Sequence, residues 1–404
     1  MQRLLQGDVG SGKTIVATLA ALQAIENGYQ VAIMAPTEIL AEQHYKKMLY
    51  WLAPLNIQIA WLSGSQGKKE RAASLEAIDI GEAKLAIGTH ALFQTQVTFK
   101  KLGFVVVDEQ HRFGVEQRLA LRQKGQSADV SAPHQLMMSA TPIPRTLSMS
   151  YFADLDVSVI DELPPGRTPI ATKLVADSRR HEIIERVRLA CQQGAQAYWV
   201  CPLIEESEAL QLQTALDTFA HLQQTFPDLK VGLVHGRMKP AEKQAVMAAF
   251  AANEIQLLVA TTVIEVGVDV PNASLMVIEH AERMGLSQLH QLRGRVGRGA
   301  AKSACILIYQ TPLSEMARAR LKIIYESSDG FEIAQADLHL RGPGEFLGVR
   351  QSGAPMLKIA DLERDTGLLE KAQQWADQLL QQNLSAAQKH LDRWLSRGEE
   401  LVKV

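Results

Sequence analysis

Short apolar runs alternate along most of the chain with longer stretches of helical periodicity. The runs at 3–6, 31–35, 57–62, 85–88, 104–108 and 135–139 read as strands, and so do 171–174, 197–201, 230–234, 257–261, 275–278 and 304–309. Strands of this length, separated by helix-length segments such as 15–25, form repeated βα units around a parallel sheet. The segment 161–169 (DELPPGRTP) is dense in Pro and Gly and cannot continue a helix or a central strand. It divides the pattern into two halves, each with its own sheet, and predicts domains over 1–160 and 161–312. From about Pro312 the strand signal disappears. There 313–326 and 362–382 read as helices flanking a Gly/Pro-punctuated loop at 342–353, which predicts a third unit over 313–404. The first strand opens almost at Met1 and runs straight into a glycine-rich loop. Such a strand is ordinarily central, so an upstream segment is expected on its flank and the chain is expected to be a fragment.

Composition changes this picture little. A chain of 404 residues is too long for one hydrophobic core and suits two domains with an appendage. With 47% hydrophobic and 21% charged residues it reads as a soluble globular protein. No apolar run reaches membrane-spanning length, and Asp8 and Lys13 interrupt any signal-peptide core. A cytoplasmic location without membrane contact is the expectation. Cys191, Cys201 and Cys305 lack metal-ligand spacing and read as buried free thiols. The formal net charge of −2 gives no sign of a nucleic-acid partner. A local groove can still hold one while remote faces stay acidic.

The chemistry lies in three segments. Gly7-Asp8-Val9-Gly10-Ser11-Gly12-Lys13-Thr14 fits the phosphate-loop pattern G-x-x-x-x-G-K-S/T without a gap. Its glycines let the backbone curl so that successive N–H groups face an anion, and the helix opening near Lys13 adds its N-terminal dipole. Lys13 would reach the β- and γ-phosphates of ATP, and the Thr14 hydroxyl would bind Mg2+. Further on, Phe104-Val105-Val106-Val107-Asp108-Glu109-Gln110-His111 is an apolar strand ending in two acids. A carboxylate at that end of a parallel strand sits in the crevice where α/β sheets bind ligands. Asp108 would hold Mg2+ and Glu109 would orient and deprotonate the attacking water. His111 would face the interdomain cleft and sense the γ-phosphate. The third segment, 288–299 (QLHQLRGRVGRG), interleaves arginines with glycines in a way no core segment does. The bland reading is a solvated basic turn. The chemical one makes Arg295 and Arg298 fingers that reach the γ-phosphate from the second domain, so that hydrolysis depends on closure.

Together these residues resemble the second superfamily of helicases over nearly the whole chain. The resemblance implies an α/β fold of two tandem RecA-like P-loop domains with parallel sheets, plus a C-terminal helical hairpin and loop. Segments 35–38 (APTE), 88–90 (GTH), 139–142 (SATP) and 261–271 (TTVIEVGVDVP) fall where that superfamily carries its DNA-contact and coupling motifs. Thr37, Thr89 and Thr262 would touch the DNA backbone. Ser139 and Thr141 would link nucleotide state to domain motion, Gly267 and Asp269 would sit near the nucleotide, and Gln291 would join the catalytic arginines. Within the superfamily the chain resembles the RecG family of branched-DNA helicases through 108–114 (DEQHRFG), 140–146 (ATPIPRT) and 337–353 (DLHLRGPGEFLGVRQSG). The last of these is similar to a translocation motif shared with the Mfd transcription-repair coupling family, and Arg320, Arg341 and Gln351 are the coupling candidates. The resemblance implies a monomeric, ATP- and Mg2+-dependent translocase on duplex or branched DNA, remodelling stalled forks and Holliday junctions, with a single-stranded DNA-binding protein as a further partner.

The family's N-terminal wedge domain and its adenine-gripping upstream segment have no counterpart here, so fork splitting is not expected of these residues alone. His339 stands where the family has an acid, and His280-Ala281 replaces Asn-Pro. An Mfd-like translocase is the nearest rival, although that family carries Glu at the position of His111. An RNA helicase, a nucleotide-binding scaffold without motor activity and a metabolic P-loop kinase are more distant. The scaffold has no physical need for Lys13, Thr14, Asp108, Glu109, Arg295 and Arg298 together. The kinase leaves the second sheet unexplained.

Overall fold

The apolar runs pair into two all-parallel sheets in the computed structural model, which describes residues 1–64, 66–109, 132–139, 156–162, 169–201, 208–261, 270–299, 302–341 and 365–395. The first sheet holds β1 (Gln2–Gly7), β2 (Gln30–Met34), β3 (Ile59–Leu62), β4 (Leu85–Gly88), β5 (Leu102–Val107), β6 (His134–Ser139) and β7 (Asp156–Ile160). Their order is β3-β4-β2-β5-β6-β1-β7. The second holds β8 (Ala171–Ala176), β9 (Gln196–Val200), β10 (Val231–Val234), β11 (Leu257–Ala260), β12 (Ala273–Ile278) and β13 (Ala304–Tyr309), in the order β10-β11-β9-β12-β13-β8. Central strands covered on both faces need apolar side chains on both, and β2 and β9 bury every residue. The edge strands β3 and β10 alternate buried with half-buried positions instead.

Helices α1 (Lys13–Glu26), α2 (Glu38–Leu52) and α3 (Lys68–Asp79) cover the first sheet. Alternate residues of β5 feed opposite layers. Phe104 and Val106 pack with Ala17 and Ala21 of α1 and Met48 and Leu52 of α2. Val105 and Val107 pack with Ile78 of α3. On the second sheet, α4 (Arg180–Gln192) and α5 (Glu208–Thr225) bury Val187 and Leu222 against Trp199 and Val259. The opposite face takes α6 (Pro240–Ala251), α7 (Leu286–Arg293), α8 (Glu315–Glu326) and α9 (Gly330–Arg341). Phe250, Leu289, Leu292, Leu321, Ile324 and Ile333 meet Tyr198, Met276 and Leu307 in that layer. The helices that follow the last strand therefore share the second sheet's core. Beyond them, α10 (Thr366–Gln382) and α11 (Leu384–Leu395) pack on each other.

Every strand expected from the sequence forms, and one forms that the apolar pattern does not show. Strand β7 (DVSVI) is a half-exposed edge with too many polar positions to register as an apolar run. It pairs with β1 from Arg3↔Asp156 to Gly7↔Ile160, and Arg3 adds a hydrogen bond to Ser158 and an ion pair with Asp156 at 3.2 Å. The flank of β1 assigned to an upstream segment is thus covered from downstream, which corrects that expectation. Helices α9 and α11 likewise have no counterpart among the sequence-based expectations.

Candidate nucleotide site between the two sheets

Strand β1 ends at Gly7 and α1 begins at Lys13, so the phosphate loop spans the carboxyl edge of the first sheet. Gly12 caps α1 at φ 98°, a left-handed conformation that favours glycine, and no side chain caps the helix. The first N–H groups of α1 are thereby left for an outside acceptor. The Ser11 hydroxyl is buried without a hydrogen-bond partner. Lys13 Nζ donates to the loop's own carbonyls, Gly7 O at 2.7 Å and Asp8 O at 2.9 Å. Gly10 lies on the exposed side of the loop, and Thr14 is half-buried at the start of α1. An unsatisfied hydroxyl, an uncapped helix start and a buried ammonium together suit a polyphosphate.

Strand β6 lies between β1 and β5 and ends at Ser139, which is buried. Asp108 follows β5, its N–H bonded to Met34 O at 2.8 Å. Its Oδ1 accepts from the Glu109 N–H at 3.0 Å, and His44 Nε2 of α2 lies 2.7 Å from its Oδ2. Burial pushes the Asp108 carboxyl up, but the hydrogen bond and charge of His44, with the charge of Lys13, outweigh it and hold the group below its ordinary value. Glu109 sits at φ 50°, a conformation costly for a side-chain-bearing residue and frequent where function over-determines the backbone.

The second sheet sends α7 and the turn after it to meet this edge. His290 Nε2 lies 2.7 Å from Asp8 Oδ1, and Arg293 Nη2 donates to His290 Nδ1 at 3.0 Å. An arginine can only donate, so Nδ1 is the acceptor and the ring proton on Nε2 goes to Asp8. Arg293 is itself anchored, Nη1 donating to the Ile324 and Ser327 carbonyls at 2.9 and 2.8 Å. A Cβ on Gly294 would stand 2.9 Å from Val9 Cβ, so glycine is what lets the end of α7 approach the phosphate loop. Gln291 and Arg295 are buried beside it. Leu289, Leu292 and Val296 join the second core, which corrects the expectation that this run is no core segment. Arg298 Nε donates to Gly294 O at 3.2 Å. Desolvation lowers the Lys13 pKa. Asp108, Glu109 and Asp8 oppose that shift, and the charge of Arg298 adds to it. Lys13, the acids of the first sheet and an arginine of the second therefore occupy one electrostatic neighbourhood. A second bridge, Gln244 Nε2 to both Glu42 carboxylate oxygens at 2.7 Å, joins α6 to α2.

Other expected site residues fall elsewhere. The Thr37 hydroxyl caps α2 by accepting from Leu40 N at 3.4 Å. Thr89 is buried with its hydroxyl facing protein and unpartnered. Arg320 donates to the Met284 and Glu282 carbonyls at 3.0 and 3.1 Å, tying α8 to the turn that precedes α7. The backbone of Arg341 ends α9. His111, Thr141, Thr262, Gly267, Asp269, Gln351 and the Arg341 side chain lie outside the described residues. Cys191, Cys201 and Cys305 are buried free thiols. His44, His290 and Arg293 belong to the site and were not among the candidates. The available signals were helical spacing alone: His44 stands seven residues after Thr37, and His290 three before Arg293.

Residues 2–150 match the DEAD/DEAH box helicase family, 180–300 the helicase conserved C-terminal domain, and 327–401 the C-terminal part of domain 3 of the ATP-dependent DNA helicase RecG. The chain is 60% identical to the ATP-dependent DNA helicase RecG of Escherichia coli over 400 residues, 99% of this chain and 58% of that protein. It is 58% identical to RecG of Acidithiobacillus ferridurans over 404 residues, again 58% of that protein. A solved structure of RecG bound to a three-way DNA junction superposes with a TM-score of 0.73 at 45% identity, covering 92% of this chain and 47% of that one.

Proposed function

Because the chain belongs to the RecG family of ATP-dependent DNA helicases and spans about 58% of the length of its relatives, we propose that it is the ATP-hydrolysing motor of a branched-DNA translocase. The observation that carries this reading is that the end of α7 meets the phosphate loop, His290 on Asp8 and Gly294 against Val9. That contact brings Arg298 of the second sheet into the electrostatic neighbourhood of Lys13 after β1 and Asp108 after β5. ATP lies between the lobes, its phosphates on the loop amides of 10–14 and on Lys13. Thr14 and Asp108 would hold Mg2+, whose charge would offset that of the β- and γ-phosphates. Glu109 orients the attacking water and takes its proton. Arg295 and Arg298, with Gln291, stabilise the charge that develops on the γ-phosphoryl group, so turnover requires the lobes to be closed.

Closure and reopening would move the second lobe along the DNA. Thr37 and Thr262 are the backbone contacts, with Thr89, whose hydroxyl is buried, supporting the loop beside them. Ser139 and Thr141 are the links to nucleotide state, and Gly267 and Asp269 the residues beside the nucleotide. His111 senses the γ-phosphate, and Arg320, Arg341 and Gln351 pass motion to the C-terminal hairpin. We take the units as 1–160, 161–312 and 313–404, with α8 and α9 of the third packed on the second sheet. The protein acts as a cytoplasmic monomer on stalled forks and Holliday junctions, alongside a single-stranded DNA-binding protein. The deciding experiment measures ATP turnover on duplex, single-stranded and forked DNA, for this chain and for one carrying the upstream region of its relatives. Stimulation by duplex and fork, with unwinding only in the longer chain, is expected. A rate indifferent to DNA would remove the motor reading.

A further inference from the structure

His44 is one buried imidazole for which the hydrolytic scheme has no use. The other buried residues on its helix, α2, are Ala41, Met48 and Leu52, all apolar, so His44 is the polar exception on an inward face. Its side chain is 6% exposed and that of Asp108 11%, and their polar atoms meet at 2.7 Å. Taking both groups out of water is costly, and a position that only needed filling is served as well by an apolar side chain. The cost falls at the carboxylate that stands beside Lys13.

The hydrogen bonds show what the imidazole does there. An ionised carboxylate offers two lone pairs on each oxygen. On Asp108, Oδ1 spends one on the Glu109 N–H and Oδ2 spends one on His44. Glu109 is the next residue in the chain, so its N–H leaves the carboxylate plane loosely constrained. His44 comes from a separate helix 64 positions away and fixes the other end. We propose that His44 is the positioning residue of the metal-binding carboxylate. Its hydrogen bond sets the rotation of the Asp108 carboxylate plane, and with it the lone pairs left for a divalent cation. This rests on the reading of Asp108 as the metal residue. Partners that orient a ligating carboxylate in this way typically matter 10–100-fold, roughly, for metal affinity.

The test uses Mn2+ as probe, titrated into the ADP-saturated protein and followed by electron paramagnetic resonance. His44→Ala is expected to weaken Mn2+ binding by roughly 10–100-fold while leaving metal-free ADP affinity unchanged. His44→Gln, whose amide N–H has similar reach, should recover to within a few-fold of wild type. Raised Mg2+ should restore part of the ATP turnover lost by His44→Ala. If His44→Ala does not fold, as judged by circular dichroism, His44→Leu removes the donor while keeping bulk. Wild-type Mn2+ affinity in the variant lacking the donor overturns the proposal, and so does a His44→Gln protein as weak as that variant. Asp108→Ala separates the two levels. Unchanged Mn2+ affinity there removes the metal assignment itself, whereas loss there without loss at His44 removes only the positioning role.

Discussion

The two sheets bring complementary groups together where α7 meets the phosphate loop but hold them in different ways. On the first, the candidate groups stand at strand ends and on the first turn of α1, and Lys13 is satisfied by the carbonyls of the preceding loop. On the second they stand on or just after α7, one face of which is core. There Arg293 is tied to the carboxyl end of α8 and His290 is held between Arg293 and Asp8. On the proposed reading Lys13 exchanges two backbone carbonyls for phosphate oxygens when nucleotide arrives, whereas the α7 framework is already set. The first sheet is therefore the adjustable half of the site and the second the fixed half.

Breaking the adjustable half should cost the most activity and the least stability. Lys13→Ala is expected to abolish ATP turnover, because it removes a phosphate contact present throughout the reaction, and turnover within a few-fold of wild type in a purified sample would refute the assignment. Across from it, on the turn after α7 in the fixed half, Arg298→Ala should depress single-turnover hydrolysis by about 10³-fold or more while nucleotide affinity stays near wild type, as for a lost arginine finger. Equal loss of both would give Arg298 a structural role.

Arg293→Ala should act on stability instead. It leaves the Ile324 and Ser327 carbonyls without this donor, and an unsatisfied buried polar group costs about 1–3 kcal/mol. Urea unfolding should show a loss of at least that size, and an unchanged midpoint would mean the fixed half is not held by this residue. The smallest effect concerns the thiols, all of which lie in the second half. Burial pushes Cys191 up to about 11 and Cys305 up to about 12, and Cys201 higher than its ordinary value as well. Dithionitrobenzoate labelling at about pH 8 should be slow in the native protein, with or without nucleotide, and complete on unfolding. Fast native labelling would show that the second half opens.

What was legible in the sequence was what is contiguous along it. The phosphate loop, the strand-end acids and the arginine–glycine run each carry their spacing in a few neighbouring residues, and in the structure they are neighbours. His44 and Asp108 are 64 positions apart and His290 and Asp8 282, so neither pair leaves a local signature. A single histidine on an apolar helix face reads as core until its partner is seen. Strand β7 escaped because an edge strand needs no continuous apolar run. The membership of α8 in the second core escaped because Leu321 and Ile324 show that a helix packs, not against what, and α9 with its Ile333 was not expected as a helix at all.

The reading rests on the two halves acting on one nucleotide, and a structure with ADP, beryllium fluoride and Mg2+ addresses that directly. Lys13 Nζ should leave the Gly7 and Asp8 carbonyls, and the Arg298 guanidinium should lie within about 2.7–3.2 Å of a fluoride. Arg298 turned away from the fluoride, with Lys13 still bonded to its own loop, would contradict it.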